Sequence, residues 1–202
     1  PRLAANTPTI KEGFNREVRL WIIGTHALRP EGKVIEEMSP EPVVNEYYQE
    51  IFKGQHRVEF LKRGKDESPK QYLKRVKKFI EDEQLTGILY LDNLRFDPRE
   101  KSTNEQERDE LAQQLKELAD VYINDAFPVA HRDDVSVYDL AYKFVPEERG
   151  AGPALLKELK KLNRLSERLN TRTEDEQAFV LVAGSKLAGE EGKIHLLKGL
   201  GN

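Results

Sequence analysis

The stretch that decides the fold is Asp120-Val121-Tyr122-Ile123-Asn124-Asp125-Ala126-Phe127-Pro128-Val129-Ala130-His131-Arg132. Its short run of β-branched and aromatic residues predicts a β-strand, and the polar residues that follow predict where the strand ends. In an open α/β sheet, ligands bind just beyond the carboxyl ends of the strands. A histidine and an arginine at such an end are suited to binding a phosphorylated anion.

The rest of the chain predicts more strands of the same kind, separated by helices. Apolar or β-branched runs predict strands at 18–23, 57–61, 87–91 and 178–182. Helical periodicity predicts helices at 2–14, 42–52, 104–118 and 154–169, another that begins at Ser68-Pro69, and a short one near Ile194. Pro8 predicts a kink or a late start in the first helix. Strands that alternate with helices indicate βαβ units, and therefore an α/β fold with a parallel sheet covered by helices on both faces.

Composition limits the classes of function. The 202 residues carry a net charge of -3 with a pI of about 5.9, which argues against a general nucleic-acid binder. There is no cysteine, so disulfides, thiolate metal sites and cysteine nucleophiles are excluded. No apolar run approaches the roughly 20 residues of a membrane span, and no signal peptide is visible. We expect a soluble cytoplasmic protein that binds neither nucleic acid nor membrane.

Cations follow several of the predicted strands. They are His26 and Arg29, Arg95, His131 and Arg132, and Lys186. Parallel topology should bring the first three sets to one rim of the sheet, where guanidinium and imidazole groups can bind phosphate and carboxylate. Any one of these cations is more often a solvated loop residue, which is the interpretation we give to Lys62-Arg63.

Other polar side chains receive structural interpretations. Asp133 and Asp134 are interpreted as N-cap or turn residues. Asn124-Asp125 is either a catalytic pair or, as we favour, a buried turn network. The sequence predicts no cluster of histidine and carboxylates at metal-ligand spacing and no nucleophile paired with a base.

Six segments, in order, resemble the phosphoglycerate kinase family. Residues 120–132 resemble Asp-Val-Tyr-Val-Asn-Asp-Ala-Phe-Gly-Thr-Ala-His-Arg, 91–96 resemble Leu-Glu-Asn-Leu-Arg-Phe, and 25–30 resemble Ser-His-Leu-Gly-Arg-Pro. Residues 2–10 resemble the helix with Arg-Ile and Leu-Pro-Thr-Ile, 150–159 resemble Ala-Gly-Phe-Leu-Met-Lys-Glu-Leu, and 183–186 resemble Gly-Gly-Ala-Lys. The resemblance implies a Rossmann-like N-domain with a substrate-binding domain at 1–149, an interdomain helix at 150–170 and the start of a nucleotide domain at 171–202.

The resemblance also implies an activity and its residues. The family transfers a phosphoryl group reversibly between ATP and the carboxylate of 3-phosphoglycerate, giving ADP and 1,3-bisphosphoglycerate in glycolysis, with Mg2+ and typically as a monomer. The residues implied for substrate binding are Arg2, His26, Arg29, Arg95, His131 and Arg132. Arg2 and Lys186 would also face the transferring phosphoryl group, and the nucleotide would contact Gly184, Ser185, Lys186 and Lys193. The Mg2+ ligand is not expected in this chain.

Departures from the family pattern leave an alternative open. Pro128 and Val129 replace Gly and Thr, Leu28 replaces Gly, and Asp133 and Asp134 add negative charge beside an anion site. The family's first strand, Arg-Val-Asp-Phe-Asn, and most of its nucleotide domain are expected outside these 202 residues. We therefore expect the chain alone to bind 3-phosphoglycerate weakly without turnover. The alternative is a divergent or truncated, non-catalytic kinase-like module for binding or assembly.

Overall fold

A computed structural model describes the backbone of residues 2–171 and the side chains of residues 5–171. The elements in chain order are α1 (Arg2–Asn15), β1 (Leu20–Ile23), α2 (Glu41–Phe52), β2 (Val58–Leu61), α3 (Pro69–Asp82), β3 (Gly87–Leu91), α4 (Glu105–Lys116), β4 (Tyr122–Asn124), α5 (Asp139–Tyr142), β5 (Arg149–Ala151) and α6 (Pro153–Thr171). The strand predicted at 178–182 and the helix near Ile194 lie outside the described residues. The chain divides into two compact units at Leu159, inside α6.

The main sheet is parallel, with strand order β1-β3-β2. Its middle strand, β3, is buried along its whole length and pairs Leu20 with Gly87 on one side and Val58 with Ile88 on the other. Because β3 alternates its side chains, Ile88 and Tyr90 pack with α1 and α2, whereas Leu89 and Leu91 pack with α3 and α4. The predicted parallel sheet with helices on both faces is confirmed.

The strand in the stretch 120–132, β4, lies in a second, two-stranded sheet. β4 pairs in parallel with β5, with Tyr122 opposite Arg149 and Asn124 opposite Ala151. The expectation that β4 shares one sheet with the other strands was therefore wrong, and no strand was predicted at 149–151. β5 has only three residues, Arg-Gly-Ala, which offer no apolar alternation, so its pairing with β4 defines it rather than any local signal.

The helix boundaries follow from local chemistry. Ser68 accepts the N–H of Gln71 and the Gln71 side chain accepts the N–H of Ser68, which is a capping box that begins α3 where Ser68-Pro69 predicts it. α1 begins at Arg2 and continues across Pro8, so the late start was not observed. Among the described helices, none has the length and apolar character needed to cross a bilayer.

Candidate functional site

Asp92 and Asn93 join the loops that follow three strands. The Asp92 carboxylate accepts hydrogen bonds from the Ser39 hydroxyl at 2.8 Å and from the N–H of Arg63 at 3.0 Å, just beyond β2. The Asn93 side chain accepts from the N–H of Ala27 at 3.1 Å and donates to the carbonyl of the same residue at 2.7 Å. Two buried polar side chains at the end of β3 therefore hold the loops after β1 and β2 in fixed positions.

His26 lies in the loop after β1 with its side chain only 7% exposed. Its Nε2 is 2.7 Å from Oε1 of Glu100 and 3.2 Å from the hydroxyl of Ser136. The Ser136 hydroxyl donates to the same Glu100 oxygen at 2.6 Å. Burial raises the pKa of the Glu100 carboxyl, while the hydrogen bonds from His26 and Ser136 favour its ionised form and oppose that rise. The loops after β1 and β4 thus meet at one buried carboxyl group.

Arg95 and His26 share a second carboxylate. The Nη2 atom of Arg95 donates to Oδ2 of Asp134 at 3.1 Å, and Nδ1 of His26 is 3.4 Å from the same oxygen. The Nη1 atom of Arg95 donates to the carbonyl of Leu28 at 2.8 Å. The structure therefore brings together predicted site residues from the loops after β1 and β3, and places between them a carboxylate from the loop after β4.

The sequence interpretation of Asp134 was a turn or N-cap residue. Its carbonyl does form a turn by accepting the N–H groups of Val137 and Tyr138, but its side chain is an ion-pair partner.

Four buried polar atoms in the loops after β1, β3 and β4 have no hydrogen-bond partner within the described residues. They are Oγ1 of Thr25, Nε of Arg95, Nη1 of Arg99 and Nε of Arg132. Of these, Nη1 of Arg99 lies 3.5 Å from a carboxylate oxygen of Glu110. A buried donor without a partner costs free energy, so such atoms call for an explanation, and a ligand that supplies acceptors is one. The other three atoms lie in the loops after three different strands, namely β1, β3 and β4.

The remaining predicted site residues do not take part in these contacts. Arg29 and His131 are exposed, and Arg132 is half-buried. The side chain of Arg2 and all of Gly184, Ser185, Lys186 and Lys193 lie outside what the structure describes. The favoured interpretation of Asn124-Asp125 as a turn network agrees with its contacts. Asp125 accepts from the hydroxyl of Thr9 and from the N–H of Leu155, and Asn124 accepts from the N–H of Ala126.

Glu100 and Ser136 are members of the cluster that the sequence did not indicate. Glu100 is one carboxylate within the polar segment Asp97-Pro98-Arg99-Glu100-Lys101, and no local pattern marks it as buried. His26, Glu100 and Asp134 also form a group whose ligand-type atoms all lie within 4.8 Å of one another, although we had predicted no such cluster. Its members come from three segments that are far apart in the sequence, so no short spacing motif could reveal it. It does not fit Mg2+, which prefers oxygen ligands and retained water, because the His26 ring contacts both carboxylates and Arg95 already pairs with Asp134.

A basic concavity lies beyond β2, and none of its lining residues belongs to this cluster. It has a volume of about 750 Å3 and is lined by Lys62, Arg63, Gly64, Lys65, Glu67, Gln71 and Arg75. Arg63 is 8% exposed and donates to the carbonyl of Glu67, so our interpretation of it as solvated surface was wrong. Burial lowers the pKa of its guanidinium. Most of the charge is already neutralised, since Lys62 pairs with Glu36 and Glu41, and Arg75 pairs with Glu67.

Comparisons with known proteins agree on one family. The sequence model described as phosphoglycerate kinase matches residues 1–201. The phosphoglycerate kinase of Corynebacterium glutamicum strain R is 32% identical over 199 residues, covering 97% of this chain and 44% of that protein. That of Mycobacterium tuberculosis is 32% identical over 201 residues, with the same coverage of both chains. The structure of phosphoglycerate kinase from Coxiella burnetii superposes with a TM-score of 0.60 at 27% identity, covering 81% of this chain and 36% of that one. The chain thus spans less than half the length of these relatives.

Proposed function

Because the chain belongs to the phosphoglycerate kinase family, we propose that residues 1–149 form the part that binds 3-phosphoglycerate. In this proposal, residues 150–170 are the interdomain helix and 171–202 begin the nucleotide domain. The proposed whole reaction is reversible phosphoryl transfer between ATP and the carboxylate of 3-phosphoglycerate, which gives ADP and 1,3-bisphosphoglycerate. Its proposed setting is glycolysis in the cytoplasm, in a monomeric enzyme.

The observation that carries the proposal is the set of unpartnered buried atoms Thr25 Oγ1, Arg95 Nε and Arg132 Nε. Two of these are guanidinium donors, and guanidinium groups bind phosphate and carboxylate oxygens in a bidentate manner. 3-Phosphoglycerate carries both anionic groups. The exposed Arg29 and His131 are assigned to the outer part of the same site, and Arg2 to the side that faces the transferring group.

The proposed roles in phosphoryl transfer are electrostatic. Lys186 and Arg2 would stabilise the charge of the phosphoryl group in flight, and Gly184, Ser185 and Lys193 would contact the nucleotide. ATP is expected to carry Mg2+, as in the family. Since the described cluster of imidazole and carboxylates does not suit that ion, no residue of this chain is assigned as its ligand.

The kinase assignment is preferred to the non-catalytic module, because the family match extends over nearly the whole chain instead of a single motif. The features that would favour the alternative are the substitutions at Leu28, Pro128, Asp133 and Asp134. A module that had lost the substrate site would lack affinity for 3-phosphoglycerate, so the absence of binding would favour that alternative.

Calorimetric titration of the 202-residue chain with 3-phosphoglycerate tests the proposal. We expect saturable binding at millimolar ligand, and Arg132→Ala should weaken it by roughly tenfold or more, as expected for the loss of a charge-assisted contact. Arg16→Ala is the matched control, because Arg16 is exposed and pairs only with Glu12 in the described residues. Absence of binding to the wild type, or equal affinities for the two variants, would overturn the proposal.

A further inference from the structure

Asp134 contacts two of the cations that are assigned to the anion site. Its Oδ2 atom is 3.1 Å from Nη2 of Arg95 and 3.4 Å from Nδ1 of His26. The residue is only 4% exposed, so water screens these contacts little. A phosphate or carboxylate that approaches Arg95 therefore meets a guanidinium that already has an anionic partner.

The charge around this position is nearly balanced without a ligand. Nζ of Lys101 lies 3.9 Å from Oδ1 of Asp134, and Glu100 holds the opposite edge of the His26 ring. Two carboxyl groups thus stand against Arg95 and Lys101, with His26 between them. A site designed only to attract anions would leave more of this positive charge uncompensated.

We propose that Asp134 is an internal counter-ion that competes with the substrate anion for Arg95 and His26 and thereby sets the affinity of the site. This inference rests on the proposed function, since it assumes that these cations receive the phosphorylated ligand. A ligand binds by exchange: its oxygens replace Oδ2 of Asp134 on the guanidinium. Exchange favours a phosphate dianion over a single carboxylate, because the more highly charged group competes better with a carboxylate already in place.

The backbone, and not the side chain, forms the turn at Asp134. The Asp134 carbonyl accepts the N–H groups of Val137 and Tyr138, so the turn does not depend on the carboxylate. Lys101 has a side chain that is 59% exposed, and it approaches the other carboxylate oxygen of Asp134, Oδ1. A rotated Asp134 side chain therefore keeps a cationic partner after it releases Arg95.

Asp133 provides a matched control for this proposal. It is the adjacent residue, so Asp133→Asn makes the same change in net charge as Asp134→Asn. Its side chain is 81% exposed and pairs with Arg108, which keeps Asp139 as a second partner. It makes no contact with Arg95 or His26 in the described residues.

The test is calorimetric titration of wild type, Asp134→Asn and Asp133→Asn with 3-phosphoglycerate and, separately, with inorganic phosphate at one fixed ionic strength. We expect Asp134→Asn to bind both anions roughly tenfold more tightly than the wild type, and Asp133→Asn to stay within about twofold. If the wild type binds 3-phosphoglycerate and Asp134→Asn binds it no more tightly, the counter-ion role is overturned while the proposed function stands. If Asp134→Asn binds phosphate more tightly than the wild type and neither protein binds 3-phosphoglycerate, the counter-ion role stands and the proposed function fails. If neither protein binds either anion, both are overturned.

A second measurement on the wild type does not depend on the folding of a variant. Imidazole NMR signals are followed while inorganic phosphate or 3-phosphoglycerate is added. Loss of the Asp134 contact should shift the signals of His26, whereas those of His56, which stacks on Phe14, should stay unchanged. Saturable anion binding with an unshifted His26 signal would contradict the exchange.

Discussion

Asp125, at the end of β4, accepts a hydrogen bond from the backbone N–H of Leu155 in the first turn of α6 at 3.0 Å. The first N–H groups of a helix have no partner within the helix, so this carboxylate acts as a cap supplied from a distant strand. The same carboxylate accepts the hydroxyl of the buried Thr9 in α1. One side chain therefore links α1, β4 and the start of α6.

Replacement of Asp125 by alanine should lower the free energy of unfolding by roughly 2 kcal/mol, because a helix cap is lost and the buried Thr9 hydroxyl loses its acceptor. Urea denaturation measures the change. Asp82→Ala is the control, since Asp82 is exposed and forms a long ion pair with Lys78 at 3.9 Å. This substitution should lower the free energy of unfolding by about 0.5 kcal/mol or less. Equal effects of the two substitutions would show that the link is not structural.

The backbone of Gly152 lies against the same carboxylate. A Cβ atom on Gly152 would lie 2.7 Å from Cβ of Asp125 and still nearer to its carboxyl carbon. Gly152→Ala should therefore destabilise the fold by roughly 1–3 kcal/mol through overpacking. Gly150→Ala is the matched control, because nothing lies within 4 Å of the added atom. Thermal and urea unfolding of both variants give the comparison, and a Gly152→Ala protein as stable as Gly150→Ala would contradict this packing.

Glu100 should make stability depend on pH. Burial raises its pKa above the ordinary value of 4.5, so the folded state holds this proton more tightly than the unfolded state does. The stabilising contribution of the protonated group is complete below about pH 4.5 and is lost as the pH rises through the higher folded-state pKa. Relative to the wild type, Glu100→Gln should therefore gain stability as the pH increases from about 4.5 toward neutrality.

Urea unfolding of the wild type and Glu100→Gln at several pH values measures this difference. His26 contacts Glu100 at 2.7 Å, so His26→Gln and the double variant complete a cycle that separates its effect. A stability difference between wild type and Glu100→Gln that stays constant with pH, or moves the other way, would contradict the raised pKa.

The main sheet could be predicted because its signals are local. The apolar run at 87–91 coincides with β3, and Ser68 begins α3 through its own side chain. β5 could not be predicted, since three residues without apolar alternation become a strand only by pairing with β4. Element type is local, whereas membership of a particular sheet is decided by neighbours distant in sequence.

The candidate site was predictable in its cations but not in its carboxylates. Strand ends point to His26 and Arg95, because parallel topology brings their loops together. Glu100 is 74 residues from His26 in sequence, and Asp134 is 39 residues from Arg95. Nothing in the local pattern around Glu100 indicates burial, and Asp134 stands out in the sequence only as an added negative charge. The compensation of charge in this site is therefore a property of the tertiary structure.

Backbone amide NMR with added 3-phosphoglycerate tests the central claim most directly, because it locates the ligand on the fold. We expect the largest chemical-shift changes at residues 25–29, 93–96 and 131–136, with little change around the basic concavity of Lys62 and Arg75. Shifts centred on that concavity, or no shifts at saturating millimolar ligand, would contradict the assignment of the substrate site to His26, Arg95 and Arg132.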